Sequence, residues 1–179
     1  IIHLLCMSVK NNSSPGLKYI ITRKSHNITK TFWVGDQMES NQELLNLIYE
    51  NAKMRENAIN NILPSVEDVG LRGSLYQQRE GYRNFATLAA KELAHKQTKP
   101  PKAKLTAEAG TYIGIRLNTL KDSSASHIAE MTINGSTMGI IQMTRKIRNF
   151  PESDHKSLDL AKNIITFEQH NIDNLKDYL

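Results

Sequence analysis

From Met38 to Leu179 the chain contains no cysteine; Cys6 is the only one in the sequence. That stretch therefore has no disulfide framework and no thiolate metal site. Tryptophan is equally scarce, with Trp33 alone. No apolar run approaches the roughly 18 residues that a membrane-spanning helix needs. Aromatics make up 6% of the 179 residues and hydrophobics 39%, a low share, yet enough to build the core of one domain. No Ser/His/Asp set forms a nucleophile elbow, and Gly135 to Gly139 is not a phosphate loop. The sequence thus describes a fold more fully than a chemistry.

The charge is unevenly placed. The net formal charge is +5, but Lys10, Lys18, Arg23, Lys24 and Lys30 face only Asp36 in residues 1–37, a net of +4. The remaining 142 residues carry +1, so the basic character says little about the body of the protein. Nucleic acid is accordingly not the expected partner, although the basic first segment keeps that as a third reading. Ile1–Val9 is a poor match to a signal peptide: no basic residues precede it and no small-residue cleavage pattern follows. Short strands are expected at Tyr19–Thr22 and Thr31–Val34. Met38 directly precedes a helical pattern. Gly35-Asp36 can be encoded GGA-GAT, placing a ribosome-binding GGAG just before the Met38 codon. Residues 1–37 are therefore read either as a translated, non-native leader or as a disordered basic tail, and 38–179 as the bundle domain.

Helical periodicity dominates from there on. Asn41 to Leu63 predicts a first helix, capped by Ser40 or Asn41, with Leu45, Ile48, Ala52, Arg55, Ile59 and Ile62 on one face. Pro64 ends it, and Ser65 is placed to cap a second helix from Val66 to Lys96. Leu71, Leu75, Gln78, Tyr82, Phe85, Ala89 and Leu93 share the inner face of that helix. Gln97 to Pro101 is a stop. Lys102 to Leu120 reads as a shorter helix. The stretch that organises the chain, Asn118 to Gln142, reads as the start of a long helix apolar nearly all the way round and so expected inside a bundle; Asp122 or Ser123 caps this central helix, about Ser124 to Asn149. The last helix is Asp154 to Leu179, with Leu158, Ala161, Ile164, Ile165, Glu168, Ile172, Leu175 and Leu179 inward. If the short helix carries the chain back along the bundle, the result is a four-helix bundle with one crossover, the ferritin-like arrangement. If it folds against one end, the bundle is plain up-down-up-down. The crossover is favoured, and the expected fold class is all-α, ferritin-like, with an added short helix.

The central motif adds a likeness. Asn118-Thr119-Leu120, Asp122, Ser124, Ser126 through Met131 and Gly135 through Ile140, with Tyr49 through Ala52 and Phe167-Glu168, resemble a family of small uncharacterised helical proteins of Clostridia and related Firmicutes, similar to ferritin-like bundles. The resemblance covers Met38 to Leu179 and implies a bacterial, cytoplasmic bundle. It implies no established activity.

Four polar residues fall on otherwise apolar faces: Arg55, Gln78, Asn134 and Glu168. Counted from one end of the crossover bundle, they lie within roughly one helical turn of a common level. Ferritin-like proteins hold two metal ions there, with a Glu from each of two helices and a Glu-x-x-His from each of the other two. This chain departs from that set. Glu80 points outward, Asn171 stands where the histidine after Glu168 belongs, and Arg55 replaces an acid. A metal reading is left with Glu168, His127 and Glu130, with Asp173 and Asp177 as further carboxylates and iron or another divalent ion as cofactor. The other reading is a structural layer in which Arg55 pairs with Glu168 while Gln78 and Asn134 complete the hydrogen bonds. His127, on a face with Met131, Met138 and Gln142, is expected to be at least half-buried. Gly135 and Gly139 are expected to let a neighbouring helix approach. The leading expectation is a soluble, non-enzymatic bundle acting through protein contacts, as a homodimer or with another protein. The alternative is a ferritin-like iron-binding protein with oxidative chemistry.

Overall fold

The computed structural model describes residues 3–5, 20–25, 28–101, 124–151 and 153–179. Three short strands, β1 (His3–Leu5), β2 (Ile20–Ser25) and β3 (Ile28–Trp33), form an antiparallel meander in that order. Ser25 pairs with Ile28 and Ile20 with Trp33. The two strands expected in this segment therefore overlap β2 and β3. Beyond it the described chain is helical: α1 (Val34–Ile62), α2 (Val69–His95), α3 (Ala125–Asn149) and α4 (His155–Leu175). The short helix expected at 102–120 lies outside the described residues.

The helix ends correct the expected caps. α1 does not start at Asn41; it runs from Val34 straight through Met38. Ser40 and Asn41 are buried inside it. Asn41 does its capping elsewhere, for its Oδ1 accepts the Asp154 N–H at 2.7 Å, across the bundle. After α1 a 3-10 turn, Leu63–Ser65, holds Pro64, and α2 starts later than expected because Asp68, not Ser65, is its N-cap. The Asp68 carboxylate accepts the Leu71 N–H at 2.7 Å. Ser124, not Asp122 or Ser123, caps α3 through the His127 N–H, and Asp154 caps α4 through the Ser157 N–H. In each case a short side-chain acceptor satisfies an amide that the helix leaves unbonded.

Contacts between helix ends fix the direction of every helix. Asn41 and Asp154, each near the start of its helix, meet, so α1 and α4 run parallel. Lys96, at the end of α2, bridges to Asp154 at 2.5 Å. Lys146, near the end of α3, bridges to Glu43 at 3.1 Å, near the start of α1. Tyr178, beyond α4, reaches Ser74 near the start of α2. The order is thus up, down, down, up. Only a crossover between α2 and α3 produces that order; an up-down-up-down bundle would set the starts of α1 and α4 at opposite ends. The all-α, ferritin-like expectation holds for the bundle.

The core is aliphatic, built on Leu44, Leu45, Ile48, Leu71, Leu75, Leu93, Ile128 and Leu175, with Tyr82 the largest side chain fully inside. The expected faces of α1 and α4 are mostly right, with Leu179 outside. On α2 it is Ala86 that is buried while Phe85 is half-buried, because Phe85 leans on Phe167, ring centroids 5.4 Å apart. α3 departs most. It is not sheathed by the other helices: Met138 and Ile141 are each 44% exposed, and its buried side is Ile128, Ala129, Met131, Ser136 and Met143.

Candidate functional site

Arg55, on an α1 face that is otherwise aliphatic, points at α3 and α4. Its guanidinium donates to the Gly135 carbonyl, and its Nε stands 3.9 Å from Glu168 Oε1. The two side chains are 11% and 6% exposed. Burying them is costly, and mutual attraction offsets that cost only when further hydrogen bonds complete the set. On the carboxylate side those bonds come from α2 and α4, whereas Arg55 Nε has no hydrogen-bond partner among the described residues. The Tyr82 hydroxyl donates to Glu168 Oε2 at 2.7 Å, and Asn171 Nδ2 lies 3.5 Å from the same hydroxyl. All four helices therefore meet at one node, through Arg55, Tyr82, the Gly135 carbonyl and Glu168 with Asn171.

Small residues make the node possible. A Cβ on Gly135 would collide with the Arg55 guanidinium. A Cβ on Gly139 would stand 3.0 Å from Arg55 Nη2 and 3.2 Å from Glu168 Oε1. The two glycines, one helical turn apart on α3, thus admit a side chain rather than a helix backbone as expected. Gly81 plays the same part for the Phe167 ring, which packs edge-on against Tyr82 at 5.1 Å.

The electrostatics hold the phenol in one protonation state. Burial, then the adjacent Glu168 charge, pushes the Tyr82 pKa well above the ordinary tyrosine value, and Arg55 only partly opposes this. Tyr82 stays a donor at every physiological pH. Next to the node, Asn51, Gly139, Ile140, Met143, Ile164, Ile165 and Glu168 line a cleft of about 10 Å³. That is room for about one water molecule, not for a substrate.

The expected polar residues fare unequally. Arg55 and Glu168 do pair. Gln78 is buried but neither atom of its amide has a partner among the described residues. Asn134 is half-buried, and the bonds of the node run through Arg55, Tyr82, Gly135, Glu168 and Asn171 without it. Tyr82 and Asn171 bond to the carboxylate side of the node in their place. Tyr82 lies on the expected inner face of α2, where its ring signals packing and its hydroxyl does not; Asn171, one turn beyond Glu168, is buried where the expected inward set of the last helix has Ile172.

His127 is half-buried and Glu130 exposed, both in the first two turns of α3. Glu168 sits opposite Gly139, twelve residues further along α3 than His127. That is about 18 Å of helix, so the three candidate ligands are not brought together. Asp173 is occupied by Lys176 at 2.7 Å. Among the described residues no group of three His, Cys, Asp or Glu side chains could hold a metal ion. Glu80 faces outward as expected, paired with Arg79 and Arg83. The ferritin-like two-metal set therefore does not fit these residues: one carboxylate remains, and a guanidinium lies beside it.

No protein-family model matches the sequence, and no curated protein does. Among solved structures the chain is similar to the bacterioferritin-related protein from Bacteroides fragilis, described as a dodecameric thioferritin, with a TM-score of 0.64 and 16% identity over 79% of this chain and 84% of that one. At that identity the likeness establishes the ferritin-like fold and nothing about the centre. The described residues include no helix long and apolar enough to cross a membrane.

Proposed function

We propose that this chain is a non-enzymatic, ferritin-like bundle of the bacterial cytoplasm that acts through protein contacts, its interior closed by an ion pair instead of a metal centre. The observation that carries the reading is the Arg55 guanidinium, fixed between the Gly135 carbonyl and Glu168 where the fold would otherwise gather metal ligands. A cation about 4 Å from another is repelled by roughly 4 kcal/mol at an effective dielectric near 20. Glu168 is already committed to Tyr82 and Arg55, which leaves it a poor ligand.

The contact surface in this reading is the outer stripe of α3, where Met138 and Ile141 stand one turn apart and exposed. The partner is a second copy of the chain, with residues 38–179 as the folding unit. The neighbouring fold from Bacteroides fragilis is described as dodecameric, so bundles of this shape do assemble. Sedimentation velocity of the full chain in EDTA tests it. A dimer or larger species without metal is expected, shifting to monomer in Met138→Glu/Ile141→Glu. A wild-type monomer throughout the micromolar range would remove self-association from the account. Unchanged assembly in the variant would remove this face.

A second reading, iron binding with oxidative chemistry, is favoured by the fold and by the Glu168 carboxylate at the edge of the small cleft. It requires bound metal that disappears in Glu168→Ala.

A further inference from the structure

At the C-terminal end of α1, beyond Arg55, a larger cleft opens where the 3-10 turn meets α2. It measures about 420 Å³ and is lined by Asn60, Leu63, Pro64, Arg72, Tyr76 and Arg79. That volume falls within the roughly 300–1,000 Å³ of small-molecule sites. Arg72, Tyr76 and Arg79 follow one another at i, i+4 and i+7, so they form one stripe on α2. Leu63, mostly buried, and the exposed Pro64 add an apolar part to a lining that is otherwise polar. No acidic residue lines the cleft.

The two arginines are held but not equally neutralised. Arg79 donates to Asn60 Oδ1 at 3.3 Å and to Glu80 at 2.9 Å, and its guanidinium stacks 4.8 Å from the Tyr76 ring centroid. Its charge is met by Glu80. Arg72 donates through both Nε and Nη2 to the Val66 carbonyl, which fixes its plane, and among the described residues Nη1 has no acceptor. Arg72 forms no ion pair among the described residues, and the nearby Asp68 has its Oδ1 taken by Leu71. The cleft thus holds one guanidinium fixed by the Val66 carbonyl, with no ion pair among the described residues, beside an exposed aromatic ring. Groups already fixed by the fold lose little freedom when a ligand arrives.

We infer that this cleft binds a small amphipathic anion, with an oxyanion on Arg72 and a flat apolar body against Tyr76, Leu63 and Pro64. Arg72 and Arg79 lie about 10 Å apart along the helix, a span that suits one ring carrying one oxyanion group. The inference is independent of the ion-pair interior and of self-association.

Isothermal titration of the full chain with phenyl phosphate, benzoate, inorganic phosphate and benzyl alcohol tests it. Phenyl phosphate or benzoate is expected to bind one per chain, at least about tenfold tighter than inorganic phosphate, with no heat from benzyl alcohol. Which of the two binds tighter identifies the oxyanion as phosphate or carboxylate. Tyr76→Ser and Arg72→Gln should each weaken binding about tenfold or more, with Arg79→Gln as a second cationic variant because Arg72 also secures the turn. Arg148→Gln, exposed on α3, should leave it unchanged. Absence of binding at millimolar ligand, wild-type affinity in Tyr76→Ser or in Arg72→Gln, or a comparable loss in Arg148→Gln would overturn the inference.

Discussion

Replacing Arg55 with methionine probes the interior most sharply. Methionine keeps the apolar stem and removes the charge. The pair it breaks is separated by 3.9 Å, with both side chains nearly buried. At an effective dielectric near 20 that attraction is about 4 kcal/mol. The variant leaves Glu168 buried with Tyr82 as its remaining partner, and removes the additional Arg55 hydrogen bond from the Gly135 carbonyl. Breaking a buried pair from one side costs about 3–5 kcal/mol, a large part of the roughly 5–15 kcal/mol that holds a domain together. Arg55→Met is therefore expected to lose about 3–4 kcal/mol in urea unfolding followed by circular dichroism. Adding Glu168→Gln should restore most of it. The amide still accepts from Tyr82, and no orphan charge remains. The double variant is expected within about 1 kcal/mol of wild type, with an interaction energy of at least about 2 kcal/mol. A loss below about 1 kcal/mol in the single variant, or a double variant that sums the two singles, would refute the reasoning.

Other predictions rest on the same geometry. Gly139→Ala should destabilise by about 1–3 kcal/mol, because its Cβ meets both Arg55 and Glu168 at 3.0–3.2 Å. Gly73→Ala, whose Cβ meets nothing within 4 Å, should stabilise by up to about 1 kcal/mol; thermal unfolding of the two separates crowding from helix propensity. Gln78→Leu should stabilise by about 1 kcal/mol in the same assay, since neither amide atom has a partner to lose among the described residues. Acid should loosen the end of the bundle where Asp154 sits. Burial raises its pKa, but the Lys96 and Ser157 hydrogen bonds outweigh that and set it below 3.8. A carboxyl lowered in the folded state stabilises above its unfolded pKa and loses that contribution as pH falls through its folded value. Urea midpoints should therefore drop below about pH 4, and drop less in Asp154→Asn, which keeps the cap but not the charge.

The sequence made the bundle legible because aliphatic spacing reports burial directly. Leu45, Ile48, Ala52, Ile59 and Ile62 were all found inside α1. The crossover was a choice between two topologies, decided by contacts such as Asn41 with Asp154 that no periodicity encodes. Helix ends were the weakest part, since several short polar residues compete for each cap and only the local backbone selects Asp68 over Ser65. α3 misled for a different reason: Met138 and Ile141 look like core residues by type, and hydrophobicity alone does not say which side of a helix is covered. The Arg55–Glu168 pair was legible from facing polar positions at one depth. Glu56 was not, because its carboxylate is drawn in by Lys53 and Arg83, whose hydrogen bonds outweigh burial and lower its pKa. The Tyr82 hydroxyl was missed since aromatic residues on an inner face are read as packing. Gly135 and Gly139 signalled a close approach, but only the structure shows that a guanidinium is what approaches.

The central claim is that an ion pair occupies the place where this fold would gather metal ligands. Elemental analysis of the full chain, incubated aerobically with Fe(II) or separately with Zn(II) and then desalted, addresses it directly. No stoichiometric metal is expected in a folded wild-type sample, and none in Glu168→Ala. One or more metal ions per chain in the wild type, lost in Glu168→Ala, would contradict it and make the ferritin-like fold a metal site after all.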